Sequence, residues 1–185
     1  MPTLPTASTP TLAFVSFSNF RIAYGRIGID LPTTLNVTIS NVDASLHSAT
    51  GASIIGSNNT VENLTVVGTG CEAASIGGGD ASSLTPGYNF VTGLNASGYA
   101  RLVRTYNPGL RFSGVGNTYQ DSYLSNAPHQ GATGGCTLCT FQRLSFDNLC
   151  FESDDSGAFY WGRNWLERGS VVQDSSFSNI QMREP

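Results

Sequence analysis

Three carboxylates lie within four residues of this chain, at Glu152, Asp154 and Asp155, and a short aromatic run follows them. The run leads into Gly-Arg-Asn-Trp, which ends at Trp165. Carboxylates, an arginine and flat aromatic faces are the groups that sugar-binding and sugar-cleaving surfaces use. The alternative is a polar turn followed by an ordinary buried strand. The scaffold that carries residues 152–165 decides between the two interpretations.

The spacing of the carboxylates limits which of them could work together. Hydrolysis of a glycosidic bond needs one carboxylic acid and a second carboxylate that acts as nucleophile or base. Asp154 and Asp155 are adjacent and point to opposite faces of an extended chain, so we do not expect them to be the pair. Glu152 and Asp154 could share a face at about 6–7 Å between Cα atoms. Each could instead cap a corner by accepting backbone hydrogen bonds.

Composition excludes several classes of partner. The chain has 185 residues and a net charge of −4, and all nine basic residues are arginines with no basic run. Such a chain is not expected to bind nucleic acid or an anionic membrane surface. No apolar run approaches the roughly 18 residues of a membrane span. The 21 glycines and the short hydrophobic bursts indicate many short strands and turns.

The amino terminus predicts a loose lead-in over residues 1–13, ahead of one domain over residues 14–185. The lead-in is rich in Pro and Thr and lacks the basic and apolar layout of a signal peptide. Four Asn-X-Ser/Thr triplets begin at Asn36, Asn58, Asn63 and Asn95. They are compatible with an extracellular or secretory location, which we expect for this chain.

A repeat dominates the rest of the sequence. Similar segments of polar and alternating apolar residues begin at positions 36, 59, 89, 117, 139 and 170, and most close with a short strand and a glycine. Strand-only repeats of this length predict an all-β fold, a parallel β-helix solenoid of about six to seven rungs. Extra residues in long copies belong in corner loops, as at 83–87 and 163–169. An antiparallel sandwich would not explain why the copies open and close alike.

From about Val66 to Ile180 the sequence resembles the right-handed parallel β-helix proteins of the pectin-lyase-like superfamily. More narrowly, it is similar to β-helix glycoside hydrolases of fucosidase and xylanase type. The segments that carry the resemblance are 77–80, 84–86, 104–106, 113–117, 127–129 and 152–169. The resemblance implies a carbohydrate-active protein, and its incomplete beginning suggests a fragment of a longer solenoid. Family members usually carry His-Asp where this chain has Ser125 and Asn126, and Asn-Asp at Thr137 and Leu138.

The resemblance assigns roles to the acidic residues. Asp155 occupies the place of the most characteristic carboxylate, and Asp80 is the matching candidate for its partner. Glu152 and Asp154 are further catalytic candidates. The function that we expect is glycoside hydrolysis of a polysaccharide, and the alternative is a β-helix that binds glycan or serves as a stalk without catalysis.

The remaining candidates are a histidine and groups that could hold substrate. His129 follows a proline in a glycine-rich stretch, which favours an exposed side chain able to contact hydroxyls or move a proton. A histidine in a corner is the alternative. Hydrogen-bond donors or stacking surfaces for a sugar could come from Arg104, Tyr106, Arg163 and Trp165. Arg104 and Arg163 could instead neutralise stacked aspartates.

No cofactor is expected. Cys136 and Cys139 have the spacing of half a zinc site, but no second pair of ligands accompanies them. A disulfide between neighbouring repeats is the expectation for a secreted protein. A polysaccharide lyase is a further alternative, in which Asp154, Asp155 and Asp80 would bind calcium. Its proton-abstracting base would have to be arginine or histidine.

Overall fold

The computed structural model describes residues 11–162 and 164–181, and within these ranges the chain forms nineteen strands and no helix. The strands are β1 (Leu12–Ala13), β2 (Ser16–Ala23), β3 (Ile29–Leu35), β4 (Thr38–Ser45), β5 (Ala52–Ser57), β6 (Thr60–Val67), β7 (Ala74–Asp80), β8 (Thr85–Pro86), β9 (Phe90–Thr92), β10 (Asn95–Ser97), β11 (Leu110–Val115), β12 (Thr118–Gln120), β13 (Tyr123–Ala127), β14 (Ala132–Thr137), β15 (Thr140–Gln142), β16 (Ser145–Leu149), β17 (Phe159–Trp161), β18 (Val171–Gln173) and β19 (Ser176–Ile180). Most of the predicted lead-in, residues 1–10, lies outside the described ranges. Its last residues already form β1. The described segments contain no helix able to cross a membrane.

The strands form two sheets in which nearly all pairing is parallel. Sheet 1 has the order β1-β3-β5-β7-β11-β14-β17, and β8 adds to β7 as the one antiparallel pair among the described strands. In sheet 2 the long strands β2, β4 and β6 come first. The sheet then continues as two rows, β9-β12-β15-β18 and β10-β13-β16-β19. Each passage of the chain therefore adds one strand to sheet 1 and then one or two to sheet 2, as parallel strands joined by crossovers require.

The strand register confirms stacked repeats, and this arrangement is consistent with a solenoid. Ala52 pairs with Ala74 in sheet 1, and Thr60 pairs with Phe90 in sheet 2. Five of the six predicted repeat starts occupy equivalent positions. The first is off by one residue, because Val37 and not Asn36 lies beside Asn59. Asn36 instead takes the left-handed backbone conformation of the preceding corner residue.

A narrow core lies between the sheets. The predicted inward residues are buried at Val37, Ile39, Val61, Leu64, Tyr119, Phe141, Leu144 and Phe146. Tyr119 and Phe141 stack in neighbouring repeats, with ring centroids 5.1 Å apart. The alternation of apolar residues in the repeat that begins at position 117 would also place Tyr123 inward, but this residue shares a row with Asn95 and Ser145 on the outer face. Asp121, two residues before Tyr123, has a left-handed backbone conformation, which changes the inward and outward alternation of the side chains that follow.

One corner of each repeat carries a buried polar ladder. This corner follows the carboxyl ends of the sheet 1 strands, and we call it the asparagine corner. The side-chain oxygen of Asn89 accepts hydrogen bonds from the backbone N–H of Asn59 at 3.1 Å and from its amide at 2.8 Å. Asn117 does the same for Asn89 at 3.0 Å for both bonds. These side chains satisfy backbone groups that a buried turn would otherwise leave unpaired.

The ladder continues with other residue types. Cys139 takes the next position, where its sulfur lies 3.3 Å from the backbone nitrogen of Asn117, and Ser170 follows it. Cys139 forms a disulfide with Cys136 inside the same corner. The expected disulfide between repeats is therefore wrong. The two cysteines flank only Thr137 and Leu138, so the turn itself brings their side chains together.

The opposite corner precedes the amino ends of the sheet 1 strands. It comprises residues 24–28, 46–51, 68–73, 98–109, 128–131 and 150–158, and we call it the arginine corner. Its loops differ in length. The step from Thr65 to Ala74 and that from Tyr123 to Ala132 are each 9 residues, whereas the equivalent steps from Asn95 to Leu110 and from Ser145 to Phe159 are 15 and 14.

Candidate functional site

The two long loops of the arginine corner bring several predicted site residues together. Residues 98–109 carry Arg104 and Tyr106, residues 150–158 carry Glu152 and Asp155, and His129 lies on the short loop between them. We call these five residues, with Ser156, the corner site. Strand pairing explains the arrangement, because Leu110, Ala132 and Phe159 are register partners and the loops that precede them must stack in the same order.

An ion pair joins the two long loops. Arg104 Nε donates to Glu152 Oε2 at 2.7 Å, and Arg104 Nη2 donates to Glu152 Oε1. This two-pronged pair connects residues 48 positions apart in the sequence. The hydrogen bond with Glu152 raises the pKa of Arg104 above its usual range. Both side chains are about half exposed, so the pair orders the loops more than it stabilises the fold.

His129 is buried, with 3% of its surface exposed, and the predicted exposure is wrong. The ring of Tyr106 covers it, with centroids 5.0 Å apart and planes tilted by 51°. Its Nδ1 lies 3.4 Å from Ser156 Oγ. Burial lowers the pKa of His129 below its ordinary value, and the nearby side chain of Gln130 and the charge of Asp155 partly oppose that effect. The imidazole is thus held near an acidic group beneath a ring that faces solvent.

The acidic loop presents its remaining carboxylates to solvent. Asp154 and Asp155 are both exposed. Asp155 acts on His129 through its charge, whereas Glu152 is occupied by Arg104. Of the acidic residues in this loop, Asp155 is therefore the one that is both open to a ligand and electrostatically connected to the histidine.

Asp80 lies at the other corner. Its carboxylate accepts hydrogen bonds from Ser82 N at 2.9 Å and from the hydroxyls of Ser82 and Ser83 at 2.7 Å. The Ser82 and Ser83 hydrogen bonds lower the pKa of Asp80. The residue thus caps its own loop, which is the alternative role considered for it.

Sheet 1 separates Asp80 from Asp155. Ala74, at the other end of β7, stacks in line with Phe159 through two intervening strands, and Asp155 precedes Phe159. Asp80 is six residues farther along β7, about 20 Å at the usual rise per residue. The two carboxylates do not form a pair. The proposed calcium ligands Asp154, Asp155 and Asp80 do not converge either, and no group of three potential metal ligands occurs in the described ranges.

The described residues of the segment 152–165 run along the last strand of sheet 1, from the arginine corner to the asparagine corner. The carboxylates lie at the arginine corner, β17 follows them, and Trp165 lies past the carboxyl end of β17 with 91% of its surface exposed. Trp161 is partly buried and donates its indole N–H to Glu167. Arg163 lies outside the described residues. Trp165 is therefore open to solvent, as a sugar platform must be, but it is not part of the corner site.

Two residues of this region, Ser156 and Cys150, were not predicted from the sequence to lie near the site. Ser156 contacts His129, and the sulfur of Cys150 lies 3.7 Å from Ser156 Oγ. Burial raises the pKa of the Cys150 thiol. The adjacency of Ser156 to Asp155 was the available signal, but serine is too common in this chain to single it out.

Comparison with known proteins found none that is similar to this chain. A scan against protein-family models, a search of the curated proteins and a search of the solved structures each found no match. The family resemblance therefore rests on the residues of this chain alone.

Proposed function

We propose that this chain is a right-handed parallel β-helix of the pectin-lyase-like type that binds a glycan at the corner site. The supporting observation is the placement of the exposed Tyr106 ring over His129, beside loops that Arg104 and Glu152 hold together. An aromatic face next to carboxylate and imidazole groups is a combination that recognises sugars, since the ring stacks on C–H groups and the polar groups bond hydroxyls.

The roles in binding follow from exposure. Tyr106, 60% exposed, offers its outer face for stacking. Asp155 accepts hydrogen bonds from hydroxyls, and His129 tunes its surroundings from below. The Arg104–Glu152 pair keeps both loops in place before the ligand arrives, which lowers the entropy lost on binding.

Glycoside hydrolysis is the second candidate, and the proximity of Asp155 to Glu152 favours it. The two are three residues apart, so their Cα atoms lie within about 10 Å by chain length alone. Side chains this close along the backbone can bring their carboxyl groups to the roughly 5–10 Å that a two-carboxylate mechanism uses. Glu152 would have to exchange its bond with Arg104 for one with the substrate. A calcium-dependent lyase has less support, because Asp80 lies far from the other two acids.

The extracellular location is part of the same proposal. The asparagines of the four glycosylation triplets, Asn36, Asn58, Asn63 and Asn95, are all exposed. Carbohydrate chains attached there would not disturb the core.

A binding experiment tests the proposal. We would measure the affinity of the protein for a panel of polysaccharides, and then compare Tyr106→Ala with Tyr88→Ala. Tyr88 is a matched control, because it is 64% exposed and also has a positive φ, but it lies at the asparagine corner. Loss of a stacking ring is expected to weaken binding about tenfold in Tyr106→Ala. Equal losses in both variants, or no binding by the parent protein, would contradict the proposal.

Release of reducing sugar separates the two candidates. If the protein cleaves a polysaccharide that it binds, and Asp155→Asn abolishes cleavage while retaining binding, hydrolysis is the function. Binding without turnover leaves glycan recognition as the function. Equal cleavage by the parent and Asp155→Asn would remove Asp155 from the mechanism.

A further inference from the structure

A second concave surface lies at the arginine corner, over the earlier repeats. It is an open cleft of about 530 Å³. The side chains that matter for its chemistry are Tyr24, Arg26, Leu46, His47 and Arg101. Arg101 belongs to the loop 98–109 that also carries Arg104 and Tyr106, so this loop contributes to both the cleft and the corner site.

The cleft holds two arginines that have no acidic partner. Arg21, Arg104, Arg111 and Arg143 each form an ion pair with an aspartate or glutamate. In the described part of the chain neither Arg26 nor Arg101 forms one, and no acidic residue lines the cleft. Arg101 makes a single long bond to a neutral carbonyl, that of Gly68, at 3.4 Å. Two unpaired guanidinium groups in a protein of net charge −4 indicate an anionic ligand.

The backbone supports this interpretation independently. An equivalent position in each repeat, at or just before this corner, has positive φ, and from the third repeat onward it carries Gly68, Gly98, Asn126, Asn148 and Asn179. These are the residue types that tolerate the left-handed conformation. The first two repeats place Tyr24 and Leu46 there, with φ of 66° and 62°. Bulky side chains are costly in this conformation, and both exceptions, Tyr24 and Leu46, line the cleft.

The floor of the cleft is rigid. His47 is 2% exposed, its Nδ1 accepts the N–H of Gly25 at 3.2 Å, and its Nε2 lies 3.1 Å from the carbonyl of Ile22. Because Nδ1 is an acceptor, Nε2 carries the proton and donates. Both nitrogens are thus used in holding neighbouring turns, and His47 supports the cleft without serving as a ligand.

We infer that this cleft binds an acidic oligosaccharide, with carboxylate or sulfate groups on Arg26 and Arg101 and a sugar ring on Tyr24. The two arginines belong to corner loops three repeats apart, about 14 Å at the usual spacing of strands. A ligand that reaches both must extend beyond one sugar unit. The exposed Tyr24 ring, with 82% of its surface accessible, lies in the same corner loop as Arg26 and provides a stacking surface in the cleft. A nucleic acid fits less well, because its dense phosphates would meet only two cations on a negatively charged protein.

Binding measurements with defined probes test the inference. We would titrate the protein with a uronic-acid tetrasaccharide, a sulfated tetrasaccharide, a neutral tetrasaccharide and inorganic sulfate. The two acidic oligosaccharides are compared to identify the anionic group. Tighter binding of at least one of them than of the neutral one, weakening with added salt, is expected. Equal binding of the neutral probe, or equal binding of a single-stranded oligonucleotide, would overturn the assignment.

Variants locate the binding. Arg26→Gln and Arg101→Gln are each expected to weaken binding of the acidic oligosaccharide about tenfold. Arg21→Gln is the matched control, because Arg21 is exposed but paired with Asp43 outside the cleft, and its affinity should not change. Equal losses in all three variants would show a general charge effect and overturn the inference.

A substitution at Tyr24 distinguishes binding from folding. Tyr24→Asn places a residue suited to positive φ in the strained position, so the temperature of unfolding should stay the same or rise while affinity falls. Unchanged affinity would remove Tyr24 from the site. Tyr106→Ala should leave acidic-oligosaccharide binding unchanged, so this inference and the proposed corner site can fail separately.

Discussion

The two corners that border sheet 1 use polar residues in opposite ways. At the asparagine corner, the side chains of Asn59, Asn89 and Asn117 turn inward and bond the backbone of the adjacent repeat. At the arginine corner, Arg104 and Glu152 turn outward and bond each other across two loops. At the asparagine corner, side chains take the place of water as hydrogen-bond partners of buried backbone groups. At the arginine corner, the ion pair positions side chains that stay accessible to solvent. The asparagine corner thus supports the fold, and the arginine corner carries the proposed glycan site.

The comparison also explains why like residues differ in role. Asp80 and Glu152 are both acidic residues in long corner loops. Asp80 is satisfied by serines two and three positions away, whereas Glu152 is satisfied by an arginine from another repeat. A local partner closes a turn, and a distant partner assembles a surface. The sequence separation between the two partners therefore distinguishes an acidic residue that caps its own loop from one that joins two repeats.

The largest effect is expected inside the asparagine ladder. Asn89→Ala removes two hydrogen bonds to Asn59, one to the carbonyl of Gly56 and one to Asn117. Leaving several of these buried groups unpaired should lower the free energy of unfolding by about 4 kcal/mol. Denaturant titration measures the change. The control is Asn41→Gly in an exposed ladder, in which Asn41 donates to Asn19 Oδ1 at 3.2 Å and accepts from Asn63 Nδ2 at 3.0 Å. This change should cost less than about 1 kcal/mol. Equal losses would show that burial does not distinguish the ladders.

The disulfide of the asparagine corner should have the next largest effect. Cys136–Cys139 closes a loop of four residues, for which loop-closure entropy gives about 2 kcal/mol. Unfolding titrations with and without reductant should differ by this amount. In Cys136→Ser the reductant should have no effect. A persistent reductant effect in that variant would mean that Cys71 or Cys150 forms a bond of its own.

The pH dependence of stability should show the burial of His129. Its pKa is lowered in the folded protein from the ordinary value of 6.5, so the unfolded chain binds the proton first as the pH falls. Stability is fully present above pH 6.5, decreases as the pH is lowered below it and levels off below the folded pKa. His129→Gln should remove this decrease. The stability that the lowered pKa values of Asp80, Asp121 and Asp147 contribute is fully present well above pH 3.8 and is lost only as the pH falls below about that value, so it does not overlap with the effect of His129. An unchanged profile in His129→Gln would contradict the assignment.

The smallest effect on stability is expected for the ion pair of the arginine corner. Arg104→Gln should lower the free energy of unfolding by less than about 1 kcal/mol, because the pair is half exposed. Proteolysis within residues 98–109 should nevertheless become faster, since the loop loses its anchor. Arg143→Gln, which breaks the exposed pair with Asp121, is the matched control and should leave that cleavage rate unchanged. Equal cleavage rates in parent and Arg104→Gln would show that the loop is held by other contacts.

The repeat was predictable because the corners impose residue types. A buried backbone N–H at each asparagine corner requires a side-chain acceptor. Asn59, Asn89 and Asn117 supply this acceptor, and their recurrence at the starts of repeats is recognisable in the sequence. The error at Asn36 arose because asparagine also favours the left-handed corner position next to it. The pairing of Cys136 with Cys139 could not be derived, since it depends on how tightly the turn between them closes.

The site was only partly predictable because order along the chain does not reveal the edge on which a loop emerges. The fold gathers Arg104, Tyr106, Glu152 and Asp155, which were separate candidates in the sequence, around His129. Asp80 was placed with them although a full strand length of sheet 1 intervenes. His129 was expected at the surface, but the covering ring of Tyr106 comes from a loop that belongs to an earlier repeat.

The unequal loops of the arginine corner have a consequence for how such a protein could diversify. The step from Asn95 to Leu110 is six residues longer than the equivalent step from Tyr123 to Ala132, yet Leu110 and Ala132 remain direct partners. Length can thus change there without shifting the strands on either side. Insertions at this corner could change what the surface binds, while the strands beneath keep their register.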